Sequence, residues 1–173
     1  MKVTPLKIPE VKLIEPEVFS DERGFFYESF NQKQFNDAVG QEVIFVQDNQ
    51  STSKKGVLRG LHYQEQPLAQ GKLVRVIFGE VFDVAVDIRE NSATYGQWVA
   101  EILSGSNKKQ LWIPEGFAHG FLTLTDDTEF LYKTTNFYSK KHERTIHWKR
   151  NDFDINWPTV GADLVLSSKD SQP

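Results

Sequence analysis

The sequence contains no cysteine. That absence excludes thiolate nucleophiles, cysteine-ligated zinc and disulfides together, and it suits a reducing compartment. No apolar run approaches the ~18 residues of a membrane-spanning helix, and Met1 to Glu10 hold no apolar signal core. Excess basic charge is missing as well: 20 Lys and Arg stand against 24 Asp and Glu, for a formal net charge of −4. Nucleic-acid binders usually carry a basic field, so neither nucleic acid nor membrane is expected as a partner, and a soluble, cytoplasmic protein is. Repeats, linkers and low-complexity stretches are absent too, so the 173 residues read as one domain over 1–173.

Aromatic residues are plentiful: 13% of the chain, with 13 Phe against a single Met. Aromatic and β-branched side chains suit pleated, half-buried surfaces, which points to an all-β chain. Phe82, Val84, Val86 and Ile88 alternate with Asp83, Ala85 and Asp87 at a period of two. Leu73–Phe78, Trp98–Leu103, Gln110–Ile113, Phe117–Thr125 and Glu129–Thr135 read as further strands. Turn signals such as Gly79-Glu80, Pro114-Glu115-Gly116 and Asp126-Asp127 separate them. Short strands at such spacing suggest a sandwich or closed barrel. One helix is expected, at Asn31–Val39, with Asn31 as its cap and Gly40 as its stop. The polar tail from Ser167 is expected to fray.

Two histidine-centred motifs stand out: Gly56-Val57-Leu58-Arg59-Gly60-Leu61-His62-Tyr63-Gln64 and Pro114-Glu115-Gly116-Phe117-Ala118-His119-Gly120. They resemble the two signature motifs of the cupin superfamily, which implies a jelly-roll β-barrel with short peripheral helices. Metal-binding cupins carry a second His two residues after the first; here that position is Gln64. An imidazole-bound divalent metal wants three or four protein ligands. The chain has only His62, His119, His142 and His147, so no metal site is expected. The two glycines beside His62, Gly56 and Gly60, are read as permitting close backbone approach to a ligand.

Over nearly its whole length the chain resembles the dTDP-4-dehydrorhamnose 3,5-epimerase family. The resemblance is carried by Asp21-Glu22-Arg23-Gly24-Phe25-Phe26-Tyr27-Glu28, Val46-Gln47-Asp48-Asn49, Val57-Leu58-Arg59-Gly60-Leu61-His62 and Gln70-Gly71-Lys72-Leu73-Val74-Arg75. Val81 to Arg89, Pro114 to Phe121 and Phe130-Leu131-Tyr132-Lys133 follow in order. It implies epimerisation at C3 and C5 of a dTDP-linked 4-keto-6-deoxyhexose, with no cofactor. The C4 carbonyl acidifies both protons, so a base, an enolate stabiliser and an acid on the opposite face suffice. The resemblance assigns these roles to His62 with Asp170 behind it, to Lys72 and to Tyr132, with Tyr138 as the rival acid. Arg23, Glu28, Gln47, Asp48, Asn49, Arg59, His119, Glu143 and Lys169 are the implied substrate contacts, and Phe19 or Phe26 offers a stacking face. Arginine forks suit a diphosphate. Asp83 is a candidate to orient His119 or His62 if its face lines the barrel. The family also implies a homodimer whose N-terminal regions cross between subunits. Rival functions are a 3-epimerase or 3,4-ketoisomerase on a related dTDP-keto sugar, a non-catalytic nucleotide-sugar-binding cupin, and a metal-dependent cupin enzyme.

Overall fold

The structure, a computed structural model, describes residues 1–171. In chain order its elements are β1 (Lys2–Pro5), β2 (Lys12–Glu15), β3 (Val18–Asp21), β4 (Gly24–Tyr27), α1 (Gln32–Val39), β5 (Gln47–Ser53) and β6 (Leu58–Gln64). There follow β7 (Lys72–Phe78), β8 (Glu80–Asp87), β9 (Trp98–Ser104), β10 (Gln110–Ile113), β11 (Phe117–Thr123), β12 (Thr128–Thr134) and β13 (Glu143–Thr145). All six strands read from alternation are present, each within two residues at either end. Strands β1 to β6 and β13 had not been read as strands.

The strands form a six-stranded sheet, β1-β2-β10-β7-β12-β5, and a five-stranded sheet, β13-β6-β11-β8-β9, while β3 and β4 make a separate hairpin. From β5 to β8 and again from β9 to β13 the chain changes sheet at every step, which produces the expected jelly-roll barrel. Val74, Val76, Leu111, Ile113 and Phe130 from one sheet meet Val81, Ala85, Val99, Phe117 and Phe121 from the other to form the interior.

Both sheets are also covered on their outer faces. On the six-stranded sheet α1 drives Phe35 against Leu73, Trp112 and Phe45. Asn31 caps that helix by accepting from the Gln34 amide at 3.0 Å, and Gly40 stops it in the left-handed region at φ 77°. It is the helix expected at Asn31–Val39, with Asn31 as the cap and Gln32 as the first helical residue. On the five-stranded sheet Ile146, Phe153, Ile155 and Trp157 cover Val84, Val86 and Phe82. Strand β8 is therefore buried on both faces. Period two puts Asp83 on the interior side with Val81 and Ala85.

The tail does not fray over the described residues. Val165 lies parallel to Val57, exchanging backbone hydrogen bonds with Gly56 and Leu58 at the entry to β6. A turn closed by Ser167 then buries Asp170 to 3% exposure.

Candidate active site

Strands β6 and β11 set the site. His62 and His119 face each other directly across this antiparallel pair, so both side chains leave the same face of the sheet, toward the interior. The pairing is irregular between His119 and Phe121. A Cβ on Gly60 would lie 2.5 Å from Gly120 Cα, and one on Gly120 would lie 2.8 Å from the Arg59 carbonyl. These glycines let the two backbones close up beside the histidines. Gly60 thus approaches a neighbouring strand and Gly56 approaches the Asp163 carbonyl.

The interior opens beside them into a cavity of about 400 Å³. Its lining includes His62, Lys72, Tyr132, Asp170, Arg59, His119, Asn49, Glu143 and Lys169. They come from interior-facing or rim positions on six strands and from the tail. Asn49 stands on β5, Lys72 at the start of β7, Tyr132 on β12 and Glu143 on β13. Lys72 does not lie on a sheet edge, since β7 is paired on both sides, with β10 and β12.

His62 Nε2 lies 2.5 Å from Asp170 Oδ1, and Ser167 Oγ donates to Asp170 Oδ2 at 2.7 Å. Burial pushes the Asp170 carboxyl up, but hydrogen bonds from His62 and Ser167 outweigh it and hold the group below its usual range. An ionised carboxylate only accepts, so His62 Nε2 carries the proton in this pair. His119 makes a similar pair: its Nε2 lies 2.9 and 3.1 Å from the two oxygens of Asp83. The surroundings separate the two histidines. The His62 side chain is 27% exposed, the His119 side chain 8%. Burial pushes the His119 pKa down, against the pull of Asp83 and with the help of Lys72 and His62, so this ring resists taking a proton. His62 is therefore the more accessible of the two rings, and His119 the one held neutral by burial.

Lys72 donates from Nζ to the His62 carbonyl at 3.2 Å. Desolvation lowers its pKa to about 8, opposed by Asp83 and Glu143. Burial raises the Tyr132 pKa despite Arg59, so the phenol keeps its proton. Tyr138 also reaches the cavity but is 55% exposed, and its hydroxyl donates to Glu143 Oε2 at 3.1 Å. Glu143 pairs in turn with Lys169. Arg59 Nε donates to Ser53 Oγ at 3.2 Å. Gln47 stands one layer back: its Nε2 donates to Asn49 Oδ1 and its Oε1 accepts from the Tyr138 amide.

Besides Gln47, three expected contacts are not brought to this cavity. Asp48 falls between Gln47 and Asn49 in a period of two, so it points to the outer face, where it is 71% exposed and bonded to Lys133 at 2.9 Å. Arg23 sits in the β3–β4 turn with its side chain 85% exposed and paired with Asp21. Glu28 follows the same hairpin and accepts from Gln34 at the surface. Phe19 and Phe26, the suggested stacking faces, are 57% and 70% exposed on that hairpin.

A family model described as dTDP-4-dehydrorhamnose 3,5-epimerase matches residues 5–173. The chain belongs to that family. It is 62% identical over 170 residues to a dTDP-4-dehydrorhamnose 3,5-epimerase of Shigella flexneri, covering 98% of this chain and 93% of the relative. The corresponding enzyme of Pseudomonas aeruginosa is 60% identical over 172 residues, 99% of this chain and 94% of the relative. Among solved structures, the dTDP-6-deoxy-D-glucose-3,5-epimerase of Legionella pneumophila, in complex with dTDP-4-keto-L-rhamnose, superposes with a TM-score of 0.94 at 54% identity, covering 98% of this chain and 89% of that one. Family membership makes the protein an isomerase.

Sequence reasoning missed the work of Gln64. Buried to 6% exposure, it donates from Nε2 to the Leu68 and Phe137 carbonyls at 2.6 and 3.2 Å and accepts from the Ser139 amide at 2.7 Å. It staples the segment that carries Tyr138 and Glu143 to the strand that carries His62. A buried amide inside a motif otherwise rich in ligand chemistry was the only signal. Among the described residues no three His, Asp or Glu side chains converge as a metal-binding group, and no helix is long and apolar enough to cross a membrane.

Proposed function

We propose that the protein inverts C3 and C5 of dTDP-4-dehydro-6-deoxy-D-glucose, giving dTDP-4-dehydro-L-rhamnose for dTDP-L-rhamnose synthesis. The observation that carries this reading is His62, bonded through Nε2 to buried Asp170, opening on the same cavity as Lys72 and Tyr132. His62 Nδ1 takes the proton made acidic by the C4 carbonyl. Asp170 fixes the tautomer and stabilises the imidazolium that forms. The Lys72 ammonium, already desolvated, faces the negative charge that develops on the carbonyl oxygen. Tyr132 returns a proton on the opposite face. No group changes oxidation state, so the residues named are chemically sufficient. Arg59, Asn49, Glu143, Lys169 and His119 hold the nucleotide and sugar. Because the site draws on residues from Asn49 to Asp170, we treat 1–173 as one functional domain. A chain with no cysteine suits the cytoplasm.

Incubation with dTDP-4-keto-6-deoxyglucose in D2O is expected to place solvent deuterium at both C3 and C5, read by proton NMR. Label at C3 alone would make the protein a 3-epimerase, and no label at either carbon would sink the proposal.

We further propose a homodimer in which Arg23 and Glu28 serve the partner's cavity, with Asp48 bordering the contact. Their distance from the cavity of their own chain supports this, as does the exposure of Phe19, Phe25 and Phe26 on the hairpin. Mixing two inactive variants, Arg23→Ala and His62→Gln, is then expected to restore up to about a quarter of wild-type activity, since half of the heterodimer's pockets are intact. Activity that stays at the level of the separate variants would remove the shared pocket.

A further inference from the structure

His119 is one of the most tightly constrained side chains in the barrel, and the group that constrains it has no place in the chemistry above. Asp83 is 0% exposed and lies on the interior face of β8. In the β8–β11 register Asp83 pairs with Phe121 and Ala85 pairs with His119, so Asp83 and His119 are diagonal neighbours on one face. The imidazole reaches along that diagonal and presents Nε2 to both carboxylate oxygens at 2.9 and 3.1 Å. Two nearly equal distances describe one N–H shared by an ionised carboxylate; a protonated acid would hold the nitrogen through one oxygen. The ring cannot turn away freely. It stacks on Phe130 at 6.0 Å and 23°, and Phe130 stacks on Phe121 at 4.1 Å and 16°.

The remaining nitrogen, Nδ1, has no hydrogen-bond partner among the described residues, yet it is not among the sealed polar atoms that lack one. What exposure His119 retains is toward the cavity that it lines. A neutral imidazole bearing its proton on Nε2 offers only a lone pair at Nδ1. It can accept from a hydroxyl and cannot donate to a ketone or an enolate.

We propose that Asp83 is a positioning residue that locks His119 as a hydrogen-bond acceptor for a hydroxyl of the bound sugar, leaving the carbonyl oxygen to Lys72. The second half of this statement rests on the proposed reaction; the tautomer does not. Burial keeps the His119 ring neutral, in agreement with the geometry. Burial pushes the Asp83 carboxyl up; the hydrogen bond from His119 and the Lys72 ammonium, which faces it from the other sheet, oppose that push. Two histidine–aspartate pairs across one cavity therefore divide the work. The more exposed one moves protons, and the more buried one reads a hydroxyl.

The first test needs no turnover. In protein labelled with 15N-histidine, His119 is expected to show a protonated Nε2 and an unprotonated Nδ1 at neutral pH. A protonated Nδ1 would overturn the proposal. The second test is Asp83→Asn, which keeps shape and removes charge. It is expected to raise KM for the keto sugar nucleotide about tenfold with kcat changed less, while dTDP alone binds as in the wild type. An analogue lacking the hydroxyl read by His119 should be bound equally by variant and wild type. Equal losses for dTDP, substrate and every deoxy analogue would reduce Asp83 to a packing role and overturn the proposal. Failure of wild-type turnover would remove the proposed reaction while leaving the tautomer to the ring-nitrogen spectra.

Discussion

Replacing His62 with glutamine is expected to lower kcat by about 10²–10⁴-fold while KM changes little, because the loss is of proton transfer and not of binding. Glutamine is the informative choice. Its amide nitrogen takes roughly the place of Nε2 and can still donate to Asp170, so the buried carboxylate is not left without a partner. Circular dichroism and thermal unfolding should match the wild type. Deuterium incorporation is the sharper readout, since loss of the base abolishes exchange at C3 and C5 together. Asp170→Asn should fall in the same direction by a smaller factor, because the base survives with its tautomer less firmly set. A His62→Gln variant that retains wild-type exchange would transfer the role of base elsewhere. The sealed environment of His119 makes it a poor successor.

Lys72→Met is expected to cost about 10²–10³-fold in kcat, the usual range for removing one preorganised donor from a developing oxyanion. The effect on stability should be neutral or favourable, since an ammonium buried to 8% exposure is replaced by an apolar chain of similar length. The pH dependence gives an independent check. Burial lowers the Lys72 pKa to about 8, and the ammonium is the active form, so kcat/KM of the wild type should fall as pH rises through about 8. The stability effect has the opposite sign. Between about pH 8 and the ordinary lysine value the folded chain has released a proton that the unfolded chain still holds, so this group makes stability rise with pH across that window. In Lys72→Met both trends should vanish. An unchanged alkaline limb of the pH–rate profile would assign it to another group, with Tyr132 the next candidate.

Strands with strict alternation, such as β8 and β12, were legible in the sequence because period two is a local property of the chain. Of the strands that line the cavity, β7, β11 and β12 were legible as well, but β5, β6 and β13 were not. Strand β5 reads Gln-Asp-Asn-Gln-Ser-Thr-Ser and β6 is broken by Gly60 and Arg59, since a wall that binds a polar ligand cannot also show an apolar stripe. Asp48 shows the limit of reading motifs as blocks. Its neighbours Gln47 and Asn49 face inward together, and the same periodicity that pairs them turns Asp48 outward. The tail misled for a different reason. Its polarity suggests fraying, but its order comes from Val165 docking on β6 and from His62, which Asp170 finds more than a hundred residues away. Contacts at such separation leave no local pattern. Asp83 fell between these cases: alternation placed it on the correct face, and only the fold names its partner.

The hydrogen bonds of Gln64 bear on how the barrel can change over evolutionary time. One codon change, Gln64→His, would restore the His-x-His spacing of a metal-binding cupin. It would also strand the Leu68 and Phe137 carbonyls and the Ser139 amide, at about 1–3 kcal/mol for each buried group left unpaired. The segment bearing Tyr138 and Glu143 would come loose in the same step. The sequence neighbourhood of this fold is therefore lopsided: the route toward the amide is open, and the route back passes through a chain that has lost one site before gaining another.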